Sequence, residues 1–260
     1  MLGRMPEDLT SRFLRDGFVR IDRAVSAELA RQCADLLWAE IGYDPDDPAT
    51  WLEPVRWVMG MSAPPFAAAA NTPPLVAAFD TLVGAGRWAP RASLGSFPLR
   101  FPHRTEPEDA GWHVEGSYQP EGAQSYWLNL RSRGRALLML FLFSDVAERD
   151  APTRIRVGSH RDIPPLLVPY GEPGVAMFQI AAELDAASAH RPVALATGLA
   201  GDVYLCHPFL VHAAQPHHGE RPRFMAQPPL YPAEPLELDR PDGNYSPVEL
   251  AIREGLAGVR

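Results

Sequence analysis

The feature that most restricts the fold of this chain is a succession of short apolar segments, separated by glycine and proline, that begins after residue 87. Short segments with turn residues between them are typical of the strands of a β-sandwich or β-barrel. No sequence repeat of fixed period accompanies them, so the pattern argues against a solenoid. The predicted strands are residues 92–100, 111–118, 137–143, 153–157, 193–196, 202–205, 209–213 and 224–230.

The first ninety residues carry a helical pattern instead. Ser26 precedes a segment whose apolar residues recur with helical spacing, which predicts an amphipathic helix with Ser26 as its N-cap. A second helix is predicted after Thr72, and Gly84 or Gly86 closes it. Residues 44–74, between the two helices, are rich in proline, aspartate and tryptophan and are predicted to form a long loop, a kind of segment that is often functional.

The C-terminal segment contains the sequence of a helix start. Ser246, Pro247 and Glu249 occupy the N-cap, first and third positions of a capping box, and we expect the helix that follows to pack on the outside. The chain is therefore predicted to be one domain over residues 1–260. Its parts are a helical region over about 1–90, a β-core over about 91–232 and a tail with the last helix over 233–260.

Composition excludes several classes of function. All 24 basic residues are arginine, which rules out chemistry that needs a lysine Schiff base or a phosphate-loop lysine. The formal net charge of −8 argues against nucleic acid as a partner. Two cysteines make no disulfide framework, no apolar run reaches the roughly 18 residues of a membrane span, and the first eight residues show no export signal. We therefore expect a cytoplasmic protein with a small-molecule partner and no membrane partner.

One histidine and one carboxylate are separated by a single residue within the predicted strand 111–118. Side chains two positions apart on a strand point to the same face, so His113 and Glu115 are expected to converge. The best candidate for a third metal ligand is His212, at the end of the predicted strand 209–213. Two histidines and one carboxylate that leave coordination positions open are typical of non-haem Fe(II) oxygenases.

An arginine follows the third candidate ligand, immediately before the next predicted strand. Arg223 presents a planar guanidinium, which binds a carboxylate through two hydrogen bonds and so suits the distal end of a chelating 2-oxo acid. Arg221 competes for this role, but the strand after Pro222 favours Arg223. Arg100 precedes His113 on the neighbouring predicted strand, where it either contacts the co-substrate or an anionic substrate, or lies on the surface.

The remaining histidines are assigned no metal. His207 lies opposite to His212 in strand parity and next to a proline, which favours a structural role. His160 is predicted to stabilise its turn, and His217 and His218 are predicted to be solvated in a loop rich in proline and glycine.

Aromatic and charged residues flank the candidate metal strand. Trp112, Tyr118, Tyr126 and Trp127 either line a substrate pocket or belong to the core, and of these we assign Tyr118 and Trp127 to the substrate. The arginines of the segment 131–135 either clamp an anionic substrate or form a charged turn, and the turn is favoured.

The order of these motifs resembles the phytanoyl-CoA dioxygenase family of Fe(II)/2-oxoglutarate oxygenases. The resemblance runs over about residues 10–230. The residues that carry it are Asp16-Gly17-Phe18-Val19, His113-Val114-Glu115, Gly158-Ser159-His160, Gly201-Asp202, His212 and Arg223. It implies a mainly β fold with a helical layer around a double-stranded β-helix, the jelly roll of the cupins, whose open end holds the metal.

The resemblance also implies an activity. His113, Glu115 and His212 are expected to hold Fe(II), and Arg223, with Arg100 as a further candidate, is expected to bind 2-oxoglutarate. The enzyme would use O2 to hydroxylate or otherwise oxidise an aliphatic C–H bond of a small molecule, with release of succinate and CO2.

Glu115 departs from the family, which usually has aspartate at this position. The extra methylene moves the carboxylate by about one C–C bond, and metal binding should survive because a carboxylate is still present. The presence of the carboxylate disfavours halogenation. Two alternatives remain open: a zinc-dependent hydrolase with the same ligands, and an inactive jelly-roll protein that binds a small molecule.

Overall fold

The computed structural model describes residues 8–258. The prediction about an export signal concerns mainly residues 1–7 and lies outside this range. The helices are α1 (Leu9–Asp16), α2 (Ala27–Ile41), α3 (Pro64–Ala70), α4 (Pro73–Leu82), α5 (Pro164–Leu167), α6 (Ala181–Ser188) and α7 (Pro247–Ala257). Over the described residues, no helix combines the length and the apolar character that crossing a membrane requires.

The strands are short, as the sequence predicts. They are β1 (Phe18–Ile21), β2 (Val55–Val58), β3 (Trp88–Ala89), β4 (Phe97–Arg100), β5 (Trp127–Leu128), β6 (Leu137–Leu142), β7 (Arg154–Arg156), β8 (Val175–Ala176), β9 (Val193–Leu195), β10 (Val203–Cys206), β11 (His212–Ala213), β12 (Met225–Ala226) and β13 (Pro229–Pro232). All of the pairings between these strands are antiparallel. The fold is therefore mostly β with helices, as expected.

The largest sheet has the strand order β1-β10-β6-β13-β3, and β12 also pairs with β6. Strand β6 is buried along its whole length, and its side chains alternate between two separate apolar clusters. Leu137, Met139 and Phe141 pack in the cluster that contains the buried faces of the N-terminal helices. Leu138 and Leu140 pack on the opposite face. A strand buried on both faces reads as a continuous apolar run, which explains the sequence of β6.

A smaller sheet, with the order β11-β7-β9, lies on the face of β6 that Leu138 and Leu140 occupy. Ile155 and Ala196 supply its part of the shared cluster. Two two-stranded sheets, β2-β4 and β5-β8, complete the pairings of the described residues. The molecule is thus layered: helices, the large sheet, then the small sheet, whose first strand carries His212.

Helix α2 forms where its cap and spacing predict. The Ser26 hydroxyl accepts a hydrogen bond from the Leu29 backbone N–H at 3.2 Å, and the helix buries Cys33 and Leu37. Gly42 ends it with a φ of 70°, a left-handed conformation that glycine adopts without steric cost. Helix α4 follows Thr72 as predicted and ends at Leu82, with Val83 as its C-cap. Gly84 follows with a φ of 107°, and its N–H donates to the Phe79 carbonyl at 3.3 Å, so it closes the helix as expected.

The prediction of a long loop over residues 44–74 was wrong in part. Strand β2 pairs with β4, and α3 begins at Pro64, buries Phe66 and ends at Ala70. Proline at the first helical positions, followed by phenylalanine and a run of alanine, is the signal that the loop interpretation overlooked. The N-terminal ninety residues therefore supply strands as well as helices: β1 and β3 belong to the large sheet.

Several other predicted strands are shorter in the structure, and the predicted strand 92–100 reduces to β4 with an isolated bridge at Leu94. Residues 111–118 form isolated bridges at His113 and Tyr118, and residues 209–213 reduce to β11. A backbone turn in which the Leu210 N–H donates to the His207 carbonyl precedes β11. Proline at 228 separates β12 from β13 in the predicted strand 224–230, because proline donates no hydrogen bond.

Helix α7 begins with the predicted capping box. The Ser246 hydroxyl accepts from the Glu249 N–H at 3.3 Å, and the Glu249 carboxylate accepts from the Ser246 N–H at 2.9 Å. Arg240 donates to both oxygens of the same carboxylate at 2.6 and 2.9 Å, and Glu249 is 1% exposed. The helix packs against α1, α4 and α5, outside the sheets as expected.

We predict that Glu249→Gln lowers the free energy of unfolding at pH 7 by about 2 kcal/mol, because charge-assisted hydrogen bonds are lost. Burial alone would raise the pKa of the Glu249 carboxyl. The hydrogen bonds from Arg240 and from the N–H groups of Ser246 and Glu237 lower it by more, so the pKa lies below its usual 4.5. A lowered pKa stabilises the folded state above the unfolded pKa, and this contribution disappears as pH falls through the folded pKa.

The stability difference between wild type and Glu249→Gln, measured by urea unfolding, should therefore shrink below about pH 5. Glu254→Gln, on the exposed side of the same helix, is the matched control. An equal loss of stability in both variants would contradict the assignment.

Candidate metal centre and its two cavities

A pair of backbone hydrogen bonds brings the two histidines together. The N–H of His113 donates to the His212 carbonyl at 3.0 Å, and the N–H of His212 donates to the His113 carbonyl at 2.9 Å. The imidazole centroids are 4.5 Å apart. Glu115 lies on the same side of its segment as His113, and its Oε1 is 4.0 Å from His113 Nε2 and 3.5 Å from His212 Nε2.

The tautomer of each histidine is fixed by a carbonyl two residues earlier. His113 Nδ1 lies 2.9 Å from the Gly111 carbonyl oxygen, and His212 Nδ1 lies 3.0 Å from the Leu210 carbonyl oxygen. A carbonyl only accepts hydrogen bonds, so each Nδ1 carries a proton, and Nε2 is the ring atom that each histidine turns towards Glu115. This arrangement is the usual one around histidines that bind metals.

Electrostatics keep the carboxylate ionised and His113 neutral. Burial raises the pKa of the Glu115 carboxyl, but the neighbouring His212, Arg135 and His113 lower it to about 2. Burial, together with His212, lowers the pKa of His113. A metal ion needs a deprotonated carboxylate and neutral imidazoles, so the pKa shifts of Glu115 and His113 both favour metal binding.

The donor set fits a divalent transition metal. The ligand atoms of His113, Glu115 and His212 all lie within 4.8 Å of one another. Three protein donors leave coordination positions open for water or small ligands, which suits iron and also catalytic zinc. The His113 side chain is 32% exposed, so the open side of the centre is accessible from outside.

One cavity, of about 220 Å³, lies beside the two histidines and is named here the Arg223 cavity. Arg223 is 1% exposed and donates to the carbonyls of Ala151 and Pro98 at 2.5 and 3.0 Å. Arg100 is 2% exposed and pairs with Asp109. Burial and the neighbouring Arg100 lower the pKa of the Arg223 guanidinium well below its usual value.

The charges in this cavity do not balance. Two buried guanidinium groups face one carboxylate, that of Asp109, among the residues that line the cavity. The Nε atoms of Arg100 and Arg223 have no hydrogen-bond partner within residues 8–258. An excess positive charge beside the candidate ligands suits a small dianion that reaches from the metal to an arginine.

A second cavity, of about 400 Å³, lies on the side of Glu115 and is named here the Glu115 cavity. Tyr126 and Tyr231 contribute to its wall, with Arg91 and Arg135. Gln227 lines both cavities, so the two meet at that residue beside the centre. The three candidate ligands therefore lie between a small cationic cavity and a larger one.

The predicted substrate residues lie elsewhere. Among the described residues that line the two cavities, Tyr126 is present, and Tyr118 and Trp127 are absent. The Tyr118 hydroxyl donates to the Pro173 carbonyl, and Trp127 pairs with Tyr118 through backbone hydrogen bonds. The Trp112 ring lies under the guanidinium groups of Arg154 and Arg156, at 4.7 and 4.2 Å.

The other histidines lie away from the centre. His207 is fully buried, its Nε2 donates to the Val248 carbonyl, and burial lowers its pKa to about 3. His160 is also buried, and its ring packs 5.1 Å from that of His207. His218 is exposed as predicted, but the prediction for His217 was wrong: its ring is buried and bonds the Arg221 carbonyl and the Gly219 N–H.

Sequence reasoning missed two residues at the site, Asp109 and Gln227, and favoured a charged turn for a third, Arg135. Asp109 is the counter-ion of Arg100, Gln227 lies between the cavities, and Arg135 has its Nη2 3.6 Å from Glu115 Oε2. Asp109 lies in an irregular segment without periodicity, so no pattern placed it. Arg131, Arg133 and Arg135 occur at every second position, and this regular spacing gives no sign that Arg135 is buried.

No family model matches the sequence, and no curated protein matches it. Solved structures do match its fold. The non-heme α-ketoglutarate-dependent epimerase SnoN from nogalamycin biosynthesis aligns over 91% of this chain and 85% of its own, with 18% identity and a TM-score of 0.57. The corresponding values for the carbocyclase SnoK from the same biosynthesis are 88%, 84%, 17% and 0.56.

HygX from Streptomyces hygroscopicus, solved with nickel and 2-oxoglutarate bound, aligns over 83% of this chain and 82% of its own, with 19% identity and a TM-score of 0.52. At these identities the likeness shows the fold. The chain therefore has the fold of a class of non-heme, α-ketoglutarate-dependent enzymes. A fold alone does not define a function, which depends on the residues of the site.

We predict that Gly134→Ala disturbs the centre. A Cβ at this position would lie 1.9 Å from the Ser117 carbonyl oxygen, so the segment that carries Glu115 must shift. We expect the affinity for Co²⁺, measured from its visible absorption, to fall about tenfold or more, and the free energy of unfolding to fall by about 1–3 kcal/mol.

Gly111→Ala is the matched control, because a Cβ at Gly111 meets no atom within 4 Å. We expect this variant to bind Co²⁺ as the wild type does. Unchanged affinity in Gly134→Ala would show that the contact with Ser117 does not position Glu115.

Proposed function

We propose that this protein is an Fe(II)/2-oxoglutarate-dependent dioxygenase of the phytanoyl-CoA dioxygenase family, with a double-stranded β-helix as its core. It hydroxylates or otherwise oxidises an aliphatic C–H bond of a small molecule. The observation that carries the proposal is the convergence of His113, Glu115 and His212 beside a cavity with two buried arginines. One domain and a cytoplasmic location are part of the same proposal.

The three ligands have separate tasks in this proposal. His113 and His212 each present Nε2, held by the bond from Nδ1 to a carbonyl. The negative charge of Glu115 favours a divalent cation, rather than a water molecule, at the position between the three side chains. Iron(II) bound there, together with 2-oxoglutarate and O2, would supply the oxidising power that breaks the C–H bond, with succinate and CO2 as co-products.

The Arg223 cavity binds 2-oxoglutarate in this proposal. Arg223 receives the distal carboxylate, because its guanidinium is buried and its Nε has no other partner among the described residues. Arg100 adds positive charge and is held by Asp109. Arg221 is the weaker candidate, since its side chain is 68% exposed and lies 4.0 Å from Asp150.

The zinc hydrolase uses the same three ligands but gives the buried arginine pair no task. A hydrolytic site needs a bound water and its own substrate contacts, and a chelating dianion is not among its requirements. Tyr118 and Trp127 stay assigned to the substrate in this proposal. Their backbones pair directly beside Tyr126, which lies in the wall of the Glu115 cavity.

Anaerobic titration with Fe(II) and then 2-oxoglutarate tests the proposal. We expect the visible absorption band of the iron–2-oxoglutarate chelate to appear in the wild type and to be lost in His113→Ala and in His212→Ala. His190→Ala, at an exposed position, is the control and should keep the band. Bound metal without a band, in a protein that hydrolyses esters or amides, would favour the zinc hydrolase, and bound metal with neither would favour the binding protein.

The assignment of the arginine has its own test. We expect Arg223→Gln to weaken 2-oxoglutarate binding about tenfold or more, because a charged pair is lost, and Arg223→Lys to restore part of the affinity. Arg221→Gln should bind 2-oxoglutarate as the wild type does. Thermal unfolding of each variant checks that the fold is retained, and the opposite result for Arg221 and Arg223 would reverse the assignment.

A further inference from the structure

Arg135 is a buried cation with few partners in the wall of the Glu115 cavity. Its side chain is 10% exposed. Within residues 8–258, its Nε and Nη1 atoms have no hydrogen-bond partner, and Nη2 donates only one long bond, of 3.4 Å, to the Gly116 carbonyl. A guanidinium has five N–H donors, so most of the hydrogen-bonding capacity of Arg135 is unused.

The carboxylate nearest to Arg135 is a metal ligand. Glu115 Oε2 is 3.6 Å from Arg135 Nη2, which is beyond hydrogen-bond distance, while Oε1 faces the two histidines. When a divalent cation occupies the centre, its charge compensates Glu115. The positive charge of Arg135 is then left uncompensated, and a buried charge without a partner is costly.

The remaining lining of the Glu115 cavity adds positive charge. Arg91 is held by the carbonyls of Ser93 and Pro229 at 3.0 and 2.8 Å and by the Tyr231 ring, 4.7 Å from its guanidinium carbon. Apart from Glu115, no acidic residue is found among the described residues that line this cavity. With a metal bound, the cavity therefore carries two cations and no free anion.

The mouth of the same cavity is apolar. Met59, Tyr126 and Tyr231 all line it and are 76%, 58% and 47% exposed. Exposed large apolar side chains gathered around one opening indicate a binding surface. Combined with the cationic wall, they favour a ligand that is apolar at one end and anionic at the other.

The neighbouring arginines of the segment 131–135 have acidic partners that Arg135 lacks on its Nε and Nη1 atoms. Arg133 donates to Glu172 at 3.2 Å, and Arg131 donates to Glu237 at 3.2 Å. Both lie partly exposed with acidic partners, as a charged turn requires. Arg135 alone of the three lines the cavity beside the metal centre.

Resting on the proposed function, we infer that the substrate is an amphipathic carboxylate. Its carboxylate binds Arg135, with Arg91 adding positive charge, and its apolar or aromatic body packs against Met59, Tyr126 and Tyr231. Both interpretations of the segment 131–135 then apply to different residues: Arg131 and Arg133 form a charged turn, and Arg135 binds an anion.

A matched pair of fluorescent probes tests this inference without knowledge of the natural substrate. Anthracene-2-carboxylate and anthracene-2-carboxamide share one apolar body and differ in charge. Titration of each into the full-length protein loaded with Co²⁺ and 2-oxoglutarate gives two dissociation constants. We expect the carboxylate to bind about tenfold or more tightly than the carboxamide, because a charged hydrogen bond replaces a neutral one.

The preference for the carboxylate should disappear in Arg135→Gln, with carboxamide binding unchanged, and return in part in Arg135→Lys. Arg133→Gln, two positions away, should keep it. Equal binding of the two probes by the wild type, or a preference that survives in Arg135→Gln, overturns the inference. Loss of the preference in Arg133→Gln to the same extent does so as well.

Two further outcomes separate this inference from the proposed function. If 2-oxoglutarate competes with the carboxylate probe and Arg135→Gln abolishes that competition, the Glu115 cavity belongs to the co-substrate and the inference is wrong. If the wild type never forms the iron–2-oxoglutarate band, the proposed function fails, while the probe preference, measured on the protein loaded with Co²⁺ alone, still decides whether Arg135 binds carboxylates.

Discussion

The reciprocal backbone pair between His113 and His212 is the constraint on which the rest of the site depends. These residues are far apart in sequence, and the two N–H···O bonds fix both the distance and the rotation between their segments. The pair attaches an otherwise irregular segment to β11, and β11 is held in turn by β7 through the register of His212 with Ile155. Because Ile155 is buried between the sheets, the position of the centre follows from the packing of the core.

The same pair explains why the site tolerates a segment with so little regular structure. His113 and Glu115 need only to project from one side of an extended chain, and one backbone pair is enough to set that side. Gly134 lies so close to the Ser117 carbonyl that any Cβ at this position would collide with it. The segment that carries Glu115 is thus bonded to β11 at His113 and closely approached by the backbone at Gly134.

Much of this arrangement is predictable from local sequence, and the remainder depends on contacts between distant residues. The strand parity of His113 and Glu115, the N-cap at Ser26 and the capping box at Ser246 are local rules, and each of these features is found in the structure. Strand β2 is stabilised by its pairing with β4, a segment about forty residues further along the chain. Its own sequence carries no strand pattern, and the local sequence therefore favours a loop. Burial of His217 likewise follows from the path of a loop that brings it against the Arg221 carbonyl. Local patterns carry no information about either contact.

Arginine distribution links the chemistry of the site to its electrostatics. In a chain without lysine, every basic side chain carries a planar guanidinium, a group that suits oxyanions. Arg100 and Arg223 lie on the side of the histidines, and Arg135 and Arg91 lie on the side of Glu115. Glutamate in place of aspartate extends the carboxylate by about 1.5 Å, so that Oε1 lies near both imidazoles while Oε2 lies near Arg135. The longer side chain thereby places Glu115 between the two histidines and the larger cavity, so that a single carboxylate separates two cavities lined by arginine.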